Sequence, residues 1–129
     1  MSREIKFRVW NIEEKYYEDE LCEFAITGEG FLYRHTYNIN RTLCADTAEK
    51  IYIIEQFTGL HDSAGKDIYE NDIVSSNNHW KGAVWWCEEK GQWWAADHAL
   101  CELNNLKVIG NIHENSELLK GEINVKFPQ

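Results

Sequence analysis

Short runs of β-branched and aromatic residues recur along this chain of 129 residues, with turn-forming residues between them about every ten positions. In residues 4–10, EIKFRVW, the side chains of Ile5, Phe7 and Val9 face one way and those of their neighbours face the other. This period of two is typical of a half-buried β-strand. Similar runs predict further strands at residues 21–27, 31–39, 51–58, 72–76, 82–88, 92–96 and 106–112.

Two segments lack the strand pattern. Residues 38–50, NINRTLCADTAEK, are interpreted as a loop or a single helical turn. Residues 115–121, NSELLKG, predict a short C-terminal helix, with Asn115 or Ser116 as its N-cap and Gly121 just after its end.

The whole pattern predicts a mainly β fold. Residues 122–127, EINVKF, are interpreted as one more strand, at an edge. The chain is long enough to bury a stable core without disulfide bonds or bound metal ions, and its hydrophobic content of 43% is ordinary for a globular protein. We therefore expect a single domain over residues 1–129, a small barrel-like or sandwich β-sheet with one short C-terminal helix.

Charge limits the partners of such a domain. The chain carries 13 Lys and Arg against 22 Asp and Glu, a formal net charge of −9, with no basic cluster. Broad binding to nucleic acid or anionic membrane needs such a cluster, so we expect no membrane partner and disfavour nucleic acid. No apolar run approaches the roughly 20 residues of a membrane span. The charged N-terminus does not resemble a signal peptide, so we expect a cytoplasmic location.

Residues 58–74, TGLHDSAGKDIYENDIV, have the outline of a phosphate-binding loop. Five residues separate Gly59 from Gly65, where a P-loop has four, and Asp67 follows the lysine in place of Ser or Thr. No helical pattern follows, so no helix N-terminus would hold the anion. The stretch therefore predicts two turns that lead into a strand, and no nucleotide site.

Backbone geometry accounts for the residue types in these two turns. Asp62 and Ser63 can bond their own backbone, and Gly65 suits a position with positive φ. In the second turn, ENDIV, Asn71 tolerates a left-handed backbone before the strand begins. We therefore expect these residues to shape the chain and to take no part in a reaction.

Candidate metal-binding and catalytic residues are scattered. A zinc site could combine Cys87, His98 and Cys101 with His79, but only His98 and Cys101 are closely spaced. Buried, inert thiols are the alternative. No nucleophile motif such as G-x-S-x-G is present, so we expect no catalytic residue, no enzyme activity, no cofactor and no metal.

Tryptophan supplies the candidate interaction surface. Trp85–Trp86 and Trp93–Trp94 form doublets on two predicted strands that the glycine-containing turn EKG would join. Since neighbouring side chains on a strand face opposite sides, one ring of each doublet should enter the core. The other two should lie outside as a cross-strand pair and form an interface, unless other elements cover both faces. The predicted interaction surface comprises Trp80, Trp85, Trp86, Trp93 and Trp94.

Three segments together resemble the YopX-like family of small proteins, which bacteriophages and prophages largely encode. They are REIKFRVWN at residues 3–11, QFTGLHDSAGKDIYENDIV at 56–74 and VIGNIHENSELL at 108–119. Asn71 stands where the family commonly has Gly, and Ser116 where it tends to have Pro. The resemblance implies a mainly β fold with a barrel-like part and a tendency to self-associate. It implies no catalytic residue.

These observations lead to one functional hypothesis and three alternatives. The first is a non-enzymatic phage or prophage accessory protein in the bacterial cytoplasm that self-assembles as a homo-oligomer or binds a host protein. One alternative is a small-barrel module that binds nucleic acid through a local stripe of Arg3, Lys6, Arg8 and Arg34. Another is an acidic DNA mimic that inhibits a host protein. A metal-dependent or cysteine-dependent enzyme is the least favoured reading.

Overall fold

β-strands make up most of the computed structural model, which describes residues 4–19, 24–29, 32–37, 43–47, 51–77 and 79–120. The described residues fall into two compact units. The N-terminal unit lies within Phe7–Glu55, and the C-terminal unit lies within residues 1–6 and 56–129. The expectation of one domain over the whole chain stays a prediction.

The N-terminal unit contains five strands and the beginning of a sixth. They are β1 (Phe7–Asn11), β2 (Tyr16–Tyr17), β3 (Phe24–Ile26), β4 (Leu32–Tyr37), β5 (Leu43–Thr47) and β6 (Tyr52–His61). β1 lies between β2 and β6, and β3, β4 and β5 form an antiparallel sheet in chain order. The strands predicted within residues 21–27 and 31–39 are therefore confirmed, and they pair as a hairpin.

The β1–β2 turn is built by one side chain. The carboxamide oxygen of Asn11 accepts a hydrogen bond of 2.9 Å from the backbone N–H of Glu14. Lys15 then takes a positive φ of 61°, which lets β2 run back antiparallel to β1.

Burial in β1 departs from the simple alternation. Val9 packs in the core of the N-terminal unit with Leu32 and Tyr52. Trp10, on the opposite face, is also buried, because its ring meets that of Tyr17 edge to face at 4.9 Å. Ile5 lies before the strand begins and is 61% exposed.

β5 corrects the interpretation of residues 38–50 as a loop or helical turn. Residues 43–47 are a strand, and Ala45 lies opposite His35 of β4. The weak local pattern of LCADT did not reveal this strand, because strand formation here depends on pairing with a neighbour more than on intrinsic preference. Residues 38–42 and 48–50 lie outside the described residues.

The C-terminal unit contains the rest of β6 and six further strands. They are β7 (Asp67–Tyr69), β8 (Asp72–Ser76), β9 (Trp80–Cys87), β10 (Gln92–Ala95), β11 (His98–Ala99) and β12 (Leu106–Asn111). The last five form one antiparallel sheet in the order β11-β10-β9-β8-β12, and β7 pairs with β6. These strands confirm the predictions at residues 72–76, 82–88, 92–96 and 106–112.

The central strands of this sheet are buried on both faces. Val74 and Val84 belong to one apolar cluster, and their neighbours Ile73 and Ala83 belong to a second cluster that contains Leu119. Neighbours on a strand point to opposite sides, so the clusters lie on opposite faces of the sheet. This explains why all five residues of β8 are buried, whichever face they point to.

The predicted C-terminal helix is only a 3-10 turn at Ser116–Leu119. Asn115 stands at its N-cap, but its side-chain oxygen accepts from the backbone N–H of Asn111 and makes no cap bond. Gly121 and the edge strand at residues 122–127 lie outside the described residues. The mainly β prediction is confirmed, and within the described ranges no helix is long and apolar enough to cross a membrane.

Candidate functional site

The β9–β10 hairpin arranges four tryptophans in two cross-strand pairs. Trp86 lies opposite Trp93, and Trp85 lies opposite Trp94. The connecting turn closes with Gly91 at a φ of 63°, where glycine carries no steric penalty. The predicted hairpin and the predicted cross-strand pairing are confirmed. The expected division into two core rings and two outside rings is not observed, because Trp86 is exposed and the other three rings are all half-buried.

The pair of Trp85 and Trp94 lies on the same face as the Ala83 cluster. Both rings are half-buried, and their centroids are 6.2 Å apart. The indole N–H of Trp85 donates to the carbonyl oxygen of Ala96 at 2.7 Å, which fixes this ring to the backbone. The indole nitrogen of Trp94 is buried with no hydrogen-bond partner among the described residues.

The pair of Trp86 and Trp93 lies on the opposite face. Its ring centroids are 5.0 Å apart, and the ring planes meet at 69°. Trp93 is half-buried and packs against the cluster that contains Val84 and Ala95. Trp86 is 42% exposed, so this pair consists of one anchored ring and one exposed ring.

Trp80 lies apart from this pair. It lies six positions before Trp86 on β9, which corresponds to about 20 Å along the strand. Its ring packs on the apolar core, lies over Gly82 and meets the ring of His98 at 5.4 Å. A Cβ at Gly82 would stand 2.6 Å from Trp80 Cη2, so glycine makes room for the ring.

A groove of about 340 Å³ opens beside the exposed ring, and we call it the Trp86 groove. It is lined by Gln56, Glu70, Trp86 and Trp93. The N–H of Glu70 donates to the carbonyl oxygen of Gln56 at 3.0 Å, and the Gln56 N–H points back to a Glu70 carboxylate oxygen at 3.4 Å. The two polar residues are therefore positioned by backbone hydrogen bonds between β6 and the turn after β7.

Sequence reasoning missed the polar half of this groove. The sequence pattern places Glu70 in a turn and Gln56 in a strand, and it predicts neither as part of a site. Both are at least 16 positions from Trp86, and only the fold brings them to the hairpin. No local sequence signal marks either residue as part of a site.

Asp62 organises the first turn of residues 58–74, the segment with the outline of a phosphate-binding loop. One carboxylate oxygen accepts from the N–H groups of Ala64 and Lys66, both at 2.9 Å, and the other accepts from Val108 at 3.0 Å. Burial would by itself raise the pKa of Asp62, but the three backbone donors outweigh it and lower the pKa. Gly65 has the predicted positive φ, at 87°.

The second turn joins β9 to the segment after β12. Asn71 has the predicted left-handed backbone, with a φ of 70°. Its N–H donates to Val84 at 3.0 Å, and its carbonyl oxygen accepts from Ile112 at 2.9 Å. The carboxylate of Asp72 accepts from the N–H of Tyr69 at 2.8 Å, which closes the turn.

The C-terminal motif GNIHEN forms a third turn that hydrogen bonds from side chains to the backbone stabilise. The carboxamide oxygen of Asn111 accepts from the N–H groups of His113 and Glu114, at 3.0 and 2.9 Å. Asn115 reaches back to the N–H of Asn111 at 3.1 Å. A Cβ on Gly110 would stand 2.5 Å from the oxygen of Asn115, so only glycine fits there without a shift.

Two of the basic residues proposed to bind nucleic acid, Lys6 and Arg8, form ion pairs with carboxylates. Lys6 Nζ lies 2.5 Å from Asp67 and 2.9 Å from Glu4, and these carboxylates raise its pKa, with the hydrogen bond to Asp67 as the largest cause. Within the N-terminal unit, Arg8 Nε donates to the fully buried Glu55 at 2.7 Å. Arg3 and the side chain of Arg34 lie outside the described residues.

The candidate zinc ligands do not form a cluster. They are Cys87, His98, Cys101 and His79. Cys87 is buried and Cys101 is exposed. Across the described ranges, no three His, Cys, Asp or Glu side chains lie together in a group that could hold a metal ion. Cys22 lies outside these ranges.

Comparisons with known proteins give the chain its relatives. The fold is similar to that of protein EF1440 from Enterococcus faecalis, with a TM-score of 0.61 and 25% identity over 92% of this chain and 100% of that one. It is also similar in fold to protein yopX from Bacillus subtilis, with a TM-score of 0.50 and 19% identity over 88% and 97%. No curated protein matches significantly. A family model described as YopX protein matches residues 6–120, and the chain therefore belongs to the YopX family.

Proposed function

We propose that this protein is a non-enzymatic accessory protein of a bacteriophage or prophage, which acts in the bacterial cytoplasm by binding another protein through its tryptophan hairpin. The observation that carries the proposal is the exposure of Trp86 beside the anchored ring of Trp93. The exposed 42% of Trp86 corresponds to about 100 Å², and covering it would contribute about 2.5 kcal/mol. Aromatic rings held in this way are typical of protein interfaces.

The first partner to test is a second copy of the chain. A homo-oligomer that covers Trp86 would give an average mass that rises with concentration in sedimentation experiments. Trp86→Ser should shift the association midpoint to a concentration at least about tenfold higher, since the lost burial is worth more than 1.4 kcal/mol.

Ile12→Ser is the matched control, because Ile12 has a similar exposure of 41% and lies in the N-terminal unit. Circular dichroism would establish that both variants remain folded. A wild-type protein that stays monomeric at every concentration would refute self-association. A Trp86→Ser variant that associates like the wild type would refute the role of this surface.

The second candidate is an acidic inhibitor that occupies the nucleic-acid site of a host protein. It is favoured by the net charge of −9, together with the engagement of Lys6 and Arg8 by carboxylates. Such binding to a basic protein should weaken steeply as salt concentration rises. A gel shift of single-stranded DNA at low salt and micromolar protein would instead support the nucleic-acid module.

A further inference from the structure

The Trp86 groove combines two aromatic walls with a carboxylate. The planes of Trp86 and Trp93 meet at 69°, so the two rings form a corner with differently oriented walls. Glu70 and Gln56 complete the lining. The negative face of an indole ring attracts cations, and a nearby carboxylate adds a full negative charge.

The volume of the groove suits one side chain and its adjoining peptide atoms. At about 340 Å³ it lies at the small end of the range of ligand pockets, about 300–1,000 Å³. A guanidinium group fits this lining best, because it is planar, stacks on aromatic faces and donates paired hydrogen bonds to a carboxylate. An ammonium group offers only a point charge.

The charge of the chain favours a foreign partner over a second copy at this groove. Two copies would each bring a net charge of −9 to the contact. A basic protein would bring the opposite charge, which speeds association and suppresses other partners.

We propose that the Trp86 groove binds an arginine side chain of a basic partner protein. This inference rests on the proposed protein-binding function and names the chemistry that the surface recognises. The guanidinium group stacks against the indole of Trp86 and hydrogen-bonds to the carboxylate of Glu70. Trp93 forms the second wall, and the net negative charge of the chain attracts the remaining basic residues of the partner.

The probe is a blocked tripeptide with a central arginine, and the control probe carries citrulline, which has the same shape without the charge. Both are titrated at constant ionic strength into ¹⁵N-labelled protein, and the indole N–H resonances are followed by NMR. The resonances of Trp86 and Trp93 are identified with Trp86→Phe and Trp93→Phe. We expect both to shift with the arginine peptide, with a Kd on the order of 1–10 mM for one side chain.

Glu70→Gln is the main test, because glutamine keeps an oxygen for the Gln56 N–H and loses only the charge. We expect it to weaken the arginine peptide about fivefold or more, and the citrulline peptide to bind the wild type at least fivefold more weakly. Glu89→Gln, at an exposed position in the hairpin turn, should leave binding unchanged. Equal binding of the two peptides, or full binding by Glu70→Gln, would overturn the inference.

Sedimentation of the same variants separates this inference from the proposed self-association. A monomeric protein that binds the arginine peptide supports the groove and refutes the homo-oligomer. A self-associating protein that does not bind the peptide refutes the groove and leaves the homo-oligomer. If Glu70→Gln abolishes self-association, the occupant is a second copy, and the assignment to a foreign basic protein is wrong.

Discussion

Replacing Asp62 by asparagine should destabilise the C-terminal unit at neutral pH. Asp62 is only 8% exposed, and its carboxylate accepts three backbone hydrogen bonds, two on one oxygen and one on the other. Asparagine has a single acceptor oxygen, so at least one buried N–H loses its partner. Each such loss costs about 1–3 kcal/mol. With a urea m-value of about 1–3 kcal/mol/M, the unfolding midpoint should fall by about 1 M.

The effect should depend on pH in a direction that the pKa of Asp62 determines. The folded protein lowers this pKa below its usual value of 3.8. A depressed carboxylate pKa contributes stability above the unfolded-state pKa, and this contribution disappears as pH falls through the folded-state pKa. The stability difference between wild type and Asp62→Asn should therefore be complete at pH 7 and narrow from about pH 5 downward.

Urea unfolding followed by tryptophan fluorescence measures this difference in the relevant unit, because five of the six tryptophans belong to residues 56–129. The titration would compare pH 7, pH 5 and pH 2.5. Glu89→Gln is the control, since its exposed side chain should change stability by less than about 0.5 kcal/mol. Equal midpoints for wild type and Asp62→Asn at pH 7 would refute the reasoning. So would a difference that stays constant or grows in acid.

Three further predictions concern other features of the fold. Glu55→Leu should lower the free energy of unfolding by about 3 kcal/mol, because it removes the buried carboxylate that Arg8 contacts. Urea unfolding followed by circular dichroism measures this change. The double variant with Arg8→Met should regain part of that loss. Gly110→Ala should lower stability by about 1–3 kcal/mol through its clash with an asparagine side chain, whereas Gly28→Ala, which meets nothing within 4 Å, should not. Asn71→Val should lower the thermal midpoint and Asn71→Gly should not, because the backbone there has a positive φ that a β-branched residue adopts only with about 1–3 kcal/mol of strain.

Features fixed by local backbone chemistry could be predicted from the sequence. The positive φ of Gly65 and Asn71 follows from turn composition, and a cross-strand pairing between the two tryptophan doublets follows from a short hairpin with a period of two. Features fixed by distant partners could not. β5 forms because it pairs with β4. The segment expected to form a helix is only a 3-10 turn, and the side chain of Asn115 bonds to the backbone of Asn111 and does not cap that turn.

The residues of the family motifs and the residues of the candidate site have different roles. Asp62 and Asn111 are functional-looking residues in the motifs, yet their side-chain oxygens accept hydrogen bonds from backbone N–H groups of neighbouring turns and strands. Asn71 joins the same framework through its backbone N–H and C=O groups. A group used in this way holds the β-sheet together and is poorly placed to recognise a ligand. Trp86 instead lines an open groove, and Glu70, whose carboxylate also accepts from the Gln56 N–H, lies beside it. The partner of this protein should therefore be sought through variants of the hairpin surface, since variants of the motifs would report first on folding.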